Sequence, residues 1–116
     1  MAKYMSLVPF ELAKMLRDAG YPHNKGHHWY DEKGRFIRHL PMDDEINAPY
    51  FAEVFDWFLE RNLSIEIYAA VHITKGFVYG ANIVGFEGDG ECSISQWDTW
   101  KEAAVDGVKI ALMYLK

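Results

Sequence analysis

The strongest periodic signal in the chain lies between residues 49 and 61. Phe51, Val54, Phe55, Phe58 and Leu59 recur at i, i+3, i+4, i+7 and i+8, the spacing that gathers side chains on one face of an α-helix. Glu53, Asp56 and Glu60 fall on the opposite face with no cation among them. The pattern predicts an amphipathic helix with an aromatic core side and an acidic surface. Its start is poorly marked. Asn47 can cap it with Pro49 in the first turn, whereas Tyr50 lacks the short oxygen-bearing side chain of a good cap.

Residues 6–19 predict a first helix, with Pro9 in the opening turn, where a missing N–H costs nothing, and Leu12, Met15, Leu16 and Ala19 as the apolar stripe. Gly20 supplies a left-handed cap, and Pro22 prevents continuation. Residues 28–30 and 35–38 flank Asp31-Glu32-Lys33-Gly34, whose turn chemistry predicts a hairpin with positive φ at the glycine. Residues 40–48 read as a loop.

Residues 64–73 alternate strictly, with Ile65, Ile67, Ala69, Val71 and Ile73 on one face, as in an antiparallel strand with one side buried. Thr74-Lys75-Gly76 turns the chain into residues 77–86, where Gly80 and Gly85 predict a bulge or a close backbone approach. A turn over 87–90 leads to a third strand at 92–96. Thr99-Trp100-Lys101-Glu102 is a capping box: the Thr hydroxyl is expected to accept from the Glu102 N–H, and the Glu carboxylate from the Thr99 N–H. The helix it opens has small inner positions, Ala103, Ala104, Gly107 and Ala111, for which the aromatic face of the central helix is the expected complement. Residues 1–116 therefore read as a single α+β domain of two layers. An antiparallel sheet with helices on one face is expected, in the order α-β-β-α-β-β-β-α.

Composition agrees with a packed core, since 50% of residues are hydrophobic and 16% aromatic. One cysteine, Cys92, cannot close an intramolecular disulfide, and the opening Met-Ala-Lys-Tyr-Met-Ser lacks the apolar run of a secretory signal. A cytoplasmic protein with no membrane association is expected. Net charge is −5, divided as +3 over residues 1–40 (seven Lys or Arg, four acids) and −8 over residues 41–116 (five and thirteen). An acidic larger half disfavours nucleic acid, because phosphate contacts need a basic patch.

Candidate chemistry is sparse. His23, His27, His28 and His39 have metal-ligand side chains, but Pro22 and Gly26 oppose the helix that would put His23 and His27 on one face, and no H-E-x-x-H is present. No cofactor and no metal are expected. Carboxylates on an outward helical stripe lack the cleft that shifts catalytic pKa values. No G-x-S-x-G and no phosphate loop occur, and Tyr68, Tyr79, Trp97 and Trp100 are not interleaved with the basic residues that a base-stacking platform needs. The chain is read as non-enzymatic. Its candidate site is a partner-binding surface of Glu53, Asp56 and Glu60, extended by Asp43, Asp44 and Glu45 in the preceding loop. The partner expected is another protein, with a homo-oligomer as an alternative.

Two resemblances add to this reading. Leu12-Ala13-Lys14 with Gly20-Tyr21-Pro22, Ala48-Pro49 with Phe55-Asp56-Trp57-Phe58, Leu63-Ser64-Ile65, and Trp100-Lys101-Glu102-Ala103 with Ala111-Leu112 resemble a family of small uncharacterised proteins from gut anaerobes and their phages. This likeness spans most of the chain and implies a phage or mobile-element accessory factor, with no activity to carry over. That family commonly places Thr or Ser after the proline, where this chain has Tyr50. The run Cys92-Ser93-Ile94-Ser95-Gln96-Trp97-Asp98-Thr99-Trp100-Lys101-Glu102-Ala103, with residues 111–115, is similar to the strand-to-helix corner of HicB-type antitoxins. That resemblance implies a β-β-β-α unit over residues 64–116 and a small basic toxin nuclease as partner. The periodicity also makes a stability prediction: Phe55→Ala should cost about 3–5 kcal/mol in chemical denaturation if that ring is fully buried.

Overall fold

The structure, a computed structural model, describes residues 6–22, 29–31, 33–37, 46–85, 90–92 and 97–115. Among these the chain runs α1 (Phe10–Asp18), β1 (Trp29–Tyr30), β2 (Phe36–Ile37), β3 (Ile46–Asn47), α2 (Phe51–Leu59), β4 (Leu63–His72), β5 (Gly76–Gly85), β6 (Gly90–Cys92) and α3 (Trp100–Tyr114). The class is α+β, and every strand pairing is antiparallel. The order differs from expectation by β3, which lies in the stretch read as a loop. The strands also form two three-stranded sheets, β2-β1-β3 and β4-β5-β6, instead of one. A two-residue strand is too short to carry an alternation that pattern reading can detect. The chain divides into two compact units, Met1–Val54 and Phe55–Lys116.

In the first unit α1 starts later than its sequence suggested. The Val8 N–H donates to the Pro49 carbonyl at 2.8 Å, the Phe51 N–H donates to the Ser6 carbonyl at 3.0 Å, and Leu7 bridges Tyr50. Residues committed to that extended pairing cannot be helical, so Pro9 takes the N-cap position with φ −62° and ψ 155°. Leu12, Ala13 and Leu16 are buried, whereas Met15 and Ala19 of the expected stripe are exposed. The C-terminus is closed as predicted. Gly20 has φ +101°, its N–H donates to the Arg17 carbonyl, and the Tyr21 N–H donates to the Leu16 carbonyl, the paired bonds of a Schellman motif. Tyr30 crosses to the extended segment, its hydroxyl donating to the Val8 carbonyl at 2.6 Å, with Phe10 edge-on to its ring. Burial pushes the Tyr30 hydroxyl pKa up, which keeps that donor protonated.

The predicted turn between β1 and β2 is present, with Gly34 at φ +83°. A side chain there would also meet the Phe10 ring, which lies 3.0 Å from where a Cβ would sit. The register sets Trp29 opposite Ile37 and opposite Asn47, which makes β1 the central strand of its sheet.

In the second unit β4 and β5 form a ten-residue hairpin in unbroken register, Leu63 opposite Gly85 through His72 opposite Gly76, with Gly76 at φ +82° closing the turn. No bulge interrupts it at Gly80. The other expectation for that glycine holds: the Tyr68 ring lies over it, and a Cβ would sit 2.6 Å from the Tyr68 hydroxyl. The third strand, β6, starts earlier than predicted, at Gly90, and is described as far as Cys92, which lies opposite Asn82; Trp97 bridges Tyr79 further along β5. Residues 93–96, residues 87–89 of the expected turn and residue 86 at the end of the expected strand lie outside the described residues, as does the side chain of Cys92.

Helix α3 lies on this hairpin, so the partner expected for its small-residue face is corrected. A Cβ at Gly107 would be 2.8 Å from the Ala81 Cβ, 3.4 Å from Ile65 and 3.5 Å from Ile67. Ala103, Ala104, Val108 and Ala111 around it are fully buried. The small face matches the flat sheet surface, which admits a helix closely only where Cβ atoms are few. Helix α2 differs from its helical wheel as well. Phe51, Val54 and Phe58 are fully buried and Trp57 nearly so, but Leu59 is 59% exposed and Phe55 is half-buried, its ring 6.2 Å from that of Trp100. The buried stripe is thus rotated toward Trp57, whose apolar rings a wheel centred on Phe55 misses.

Gly107→Ala should destabilise the protein by about 1–3 kcal/mol in urea unfolding, because overpacking against a backbone-fixed Ala81 outweighs the ~1 kcal/mol gained in helix propensity. Phe58→Ala should cost about 3–5 kcal/mol. Phe55→Ala should cost clearly less, and equal losses would show that the assigned face is wrong.

Candidate functional site

The acidic stripe is the candidate surface, and the structure separates its members. The Glu53 Oε1 accepts the Tyr50 backbone N–H at 3.0 Å, and the residue is half-buried. This is the return arm of a capping box whose hydroxyl arm is missing, because Tyr50, immediately before the first helical residue, has no short side-chain acceptor. The Phe51 N–H is met by tertiary structure, at the Ser6 carbonyl, and the helix starts later than expected, so Asn47 lies in β3 and Pro49 precedes the first turn. Glu53 is therefore a helix-capping group first and a surface charge second.

Asp56 and Glu60 are exposed and lie one turn apart, the Glu60 N–H donating to the Asp56 carbonyl at 3.0 Å. They occupy the C-terminal end of α2, where the helix dipole disfavours carboxylates, and no basic side chain lies in the last turn. The adjacent Arg61 does not neutralise them. Its guanidinium stacks 3.9 Å from the Trp57 ring centroid, and its Nη1 donates to the Trp57 carbonyl at 3.0 Å. Sequence reading overlooked this pairing, although the four-residue spacing on one helix was a signal for it. Asn62 follows with φ +65° and ends the helix. Asp43, Asp44 and Glu45 lie outside the described residues, as do His23, His27, His28 and His39.

The other candidate groups do not converge. Tyr68 projects to the face of the β4–β5 hairpin that carries Gly80, while Tyr79 lies on the opposite face with Ala81 and beside Trp97. Four aromatics divided between two faces form no common platform. The Trp97 indole N–H donates to Asp106 on α3 at 3.3 Å, and Trp100 is buried against Phe55. Among the described residues no three His, Cys, Asp or Glu side chains gather as metal ligands, and no helix is long and apolar enough to cross a membrane.

Asp31 holds a cluster of polar contacts. Its Oδ1 accepts the Arg35 N–H at 2.8 Å and the Lys33 N–H at 2.9 Å, and its Oδ2 accepts the Arg35 Nε–H at 2.6 Å. These bonds, the one from the Arg35 backbone foremost, hold the carboxyl below its ordinary value near 3.8. Every one of them lies within the β1–β2 turn, so the cluster locks the hairpin and offers little to a ligand. A lowered pKa means stabilisation that is present above the ordinary value and lost as pH falls through the lower folded value. Acid titration followed by backbone NMR should accordingly show the Lys33 and Arg35 amides shifting with a midpoint below 3.8. A midpoint at or above that value would show that the turn bonds are not made in solution.

Comparison with family models, with curated proteins and with solved structures finds no match for this chain.

Proposed function

We propose that this protein is a non-enzymatic interaction module, a cytoplasmic accessory factor of a phage or mobile element, that binds a basic surface of a protein partner through the exposed end of α2. The observation that carries the reading is the unneutralised pair Asp56 and Glu60. Like charges four residues apart at a helix C-terminus cost about 0.2–0.5 kcal/mol in mutual repulsion, and more against the dipole. The cation beside them is turned to Trp57 instead. A pair that opposes folding in the free chain becomes favourable once a basic partner faces it. Asp43, Asp44 and Glu45, the other acids expected to bind the partner, lie outside the described residues.

A HicB-like antitoxin is the second reading, favoured by the β4-β5-β6-α3 succession over the stretch that carries that resemblance. Its partner would be a small basic toxin nuclease, which the same acidic surface would suit. A short basic reading frame beside the gene separates the two, since an antitoxin needs one and a host-directed factor does not.

The test is the double variant Asp56→Lys, Glu60→Lys, with Glu53 left in place to keep the cap. Capture of the partner in a pull-down at low salt should be abolished, while stability in urea is unchanged or raised by up to about 1 kcal/mol. Undiminished capture would refute the acidic-surface reading.

A further inference from the structure

The β4-β5-β6 sheet ends on a strand of ten residues, and among the described residues β4 has no strand neighbour but β5. Natural edges of this length are normally blunted by a bulge, a proline or a lysine. β4 has none of these: its sequence is LSIEIYAAVH, and its register with β5 is one-to-one throughout. Its distal half also extends past the part of the hairpin that α3 covers. Val71 is 77% exposed, Phe77 opposite it 67%, and Ile73 in the turn 99%. An open edge flanked by uncovered apolar side chains invites a further strand.

We infer that this strand is β4 of a second copy, paired antiparallel about a two-fold axis at Ala69. The argument is the self-complementarity of the strand. Centring the axis on Ala69 sets Ile65 opposite Ile73, Glu66 opposite His72 and Ile67 opposite Val71 of the other copy. Directly opposed side chains share a face, so the apolar pairs fall on the side that α3 covers in each copy and the Glu–His pairs fall on the other. The exposed Val71 and Ile73 of one copy thereby come beside the packed Ile67 and Ile65 of its mate. A slip of one residue puts Glu66 opposite Val71 and Ile65 opposite His72, and moving the axis by a whole residue in either direction removes the Glu66–His72 pair.

His72 is prepared for that pair. Its Nδ1 accepts the Thr74 N–H at 3.2 Å and the Lys75 N–H at 3.3 Å, which assigns the proton of the neutral ring to Nε2 and leaves a donor for an exposed carboxylate such as Glu66. Two such pairs per dimer would flank the axis symmetrically. The result is a six-stranded sheet with both copies of α3 on one face, built without Asp56 or Glu60, so its failure and that of the acidic surface are read separately.

Sedimentation equilibrium on the full chain across the micromolar range should report twice the chain mass, and Val71→Lys should weaken self-association by roughly tenfold or more, with a thermal midpoint equal to that of the wild type when both are measured dilute enough to be monomeric. Register is tested by cysteine crosslinking against the wild-type chain, which retains Cys92. Ala69→Cys meets its own copy at about 4.5–5.5 Å between Cα atoms, within disulfide reach. Val71→Cys is displaced from its own copy by four residues, roughly 13 Å, and should not link. Rapid oxidation of the first to a dimer, mapped by mass spectrometry to position 69 in both chains, with the second remaining monomeric under denaturing conditions, supports the pairing. A chain that is monomeric throughout, whether or not some other protein occupies the edge, overturns it. So does a dimer indifferent to Val71→Lys, or equal crosslinking at the two positions.

Discussion

The second half of this protein depends on the contact between Gly107 and Ala81. Helix α3 can lie on the β4–β5 hairpin only because one partner has no side chain and the other only a methyl, with 2.8 Å left for any Cβ at position 107. The rest of the interface follows the same rule. Alanines at 103, 104 and 111 are fully buried, and the larger Ile65, Ile67 and Val108 fill the margins. Close approach also limits the area covered. With 15 residues α3 is about 22 Å long, whereas the ten residues of β4 extend about 33 Å, so part of the hairpin must project beyond the helix. Val71, Ile73 and Phe77 are on that projecting part, and their exposure follows from the lengths of the two elements.

The three described helices begin in three different ways. Helix α3 is capped by its own sequence: the Glu102 N–H donates to the Thr99 hydroxyl oxygen at 3.1 Å, and that hydroxyl donates to the Glu102 carboxylate at 3.0 Å. The carboxylate was expected to reach the Thr99 N–H instead; bonding to the hydroxyl still restrains both side chains of the box. Helix α1 opens on a proline with no side-chain cap. Helix α2 relies on Glu53 and on the distant Ser6 carbonyl. That dependence changes the reading of the acidic stripe, because one of its carboxylates has a structural task and only Asp56 and Glu60 are left as uncommitted charge. The same division applies to Asp31, an acid in an exposed turn whose oxygens are taken up by the turn itself. Counting carboxylates in the sequence therefore overstates the surface available to a partner.

What the sequence determined by itself is what depends on near neighbours: the glycine-closed end of α1, the Asp31–Gly34 turn, the β4–β5 hairpin with its glycine turn, the Thr99 cap and the small face of α3. Each rests on residues within a few positions of one another, so spacing and side-chain chemistry suffice to predict it. Tertiary structure decided the rest. Residues 6–8 are extended and not helical because they hydrogen-bond to residues some forty positions away. β3, two residues long, is defined by its pairing with β1, and Gly107 faces a sheet and not a second helix. Periodicity identifies an apolar face but does not say what covers it, which is why Phe55 and Leu59 were placed too deep and Trp57 too shallow. The same limit applied to the alternation of β4: it marked one apolar side correctly, and only the length of α3 decided that the far end of that side would remain uncovered.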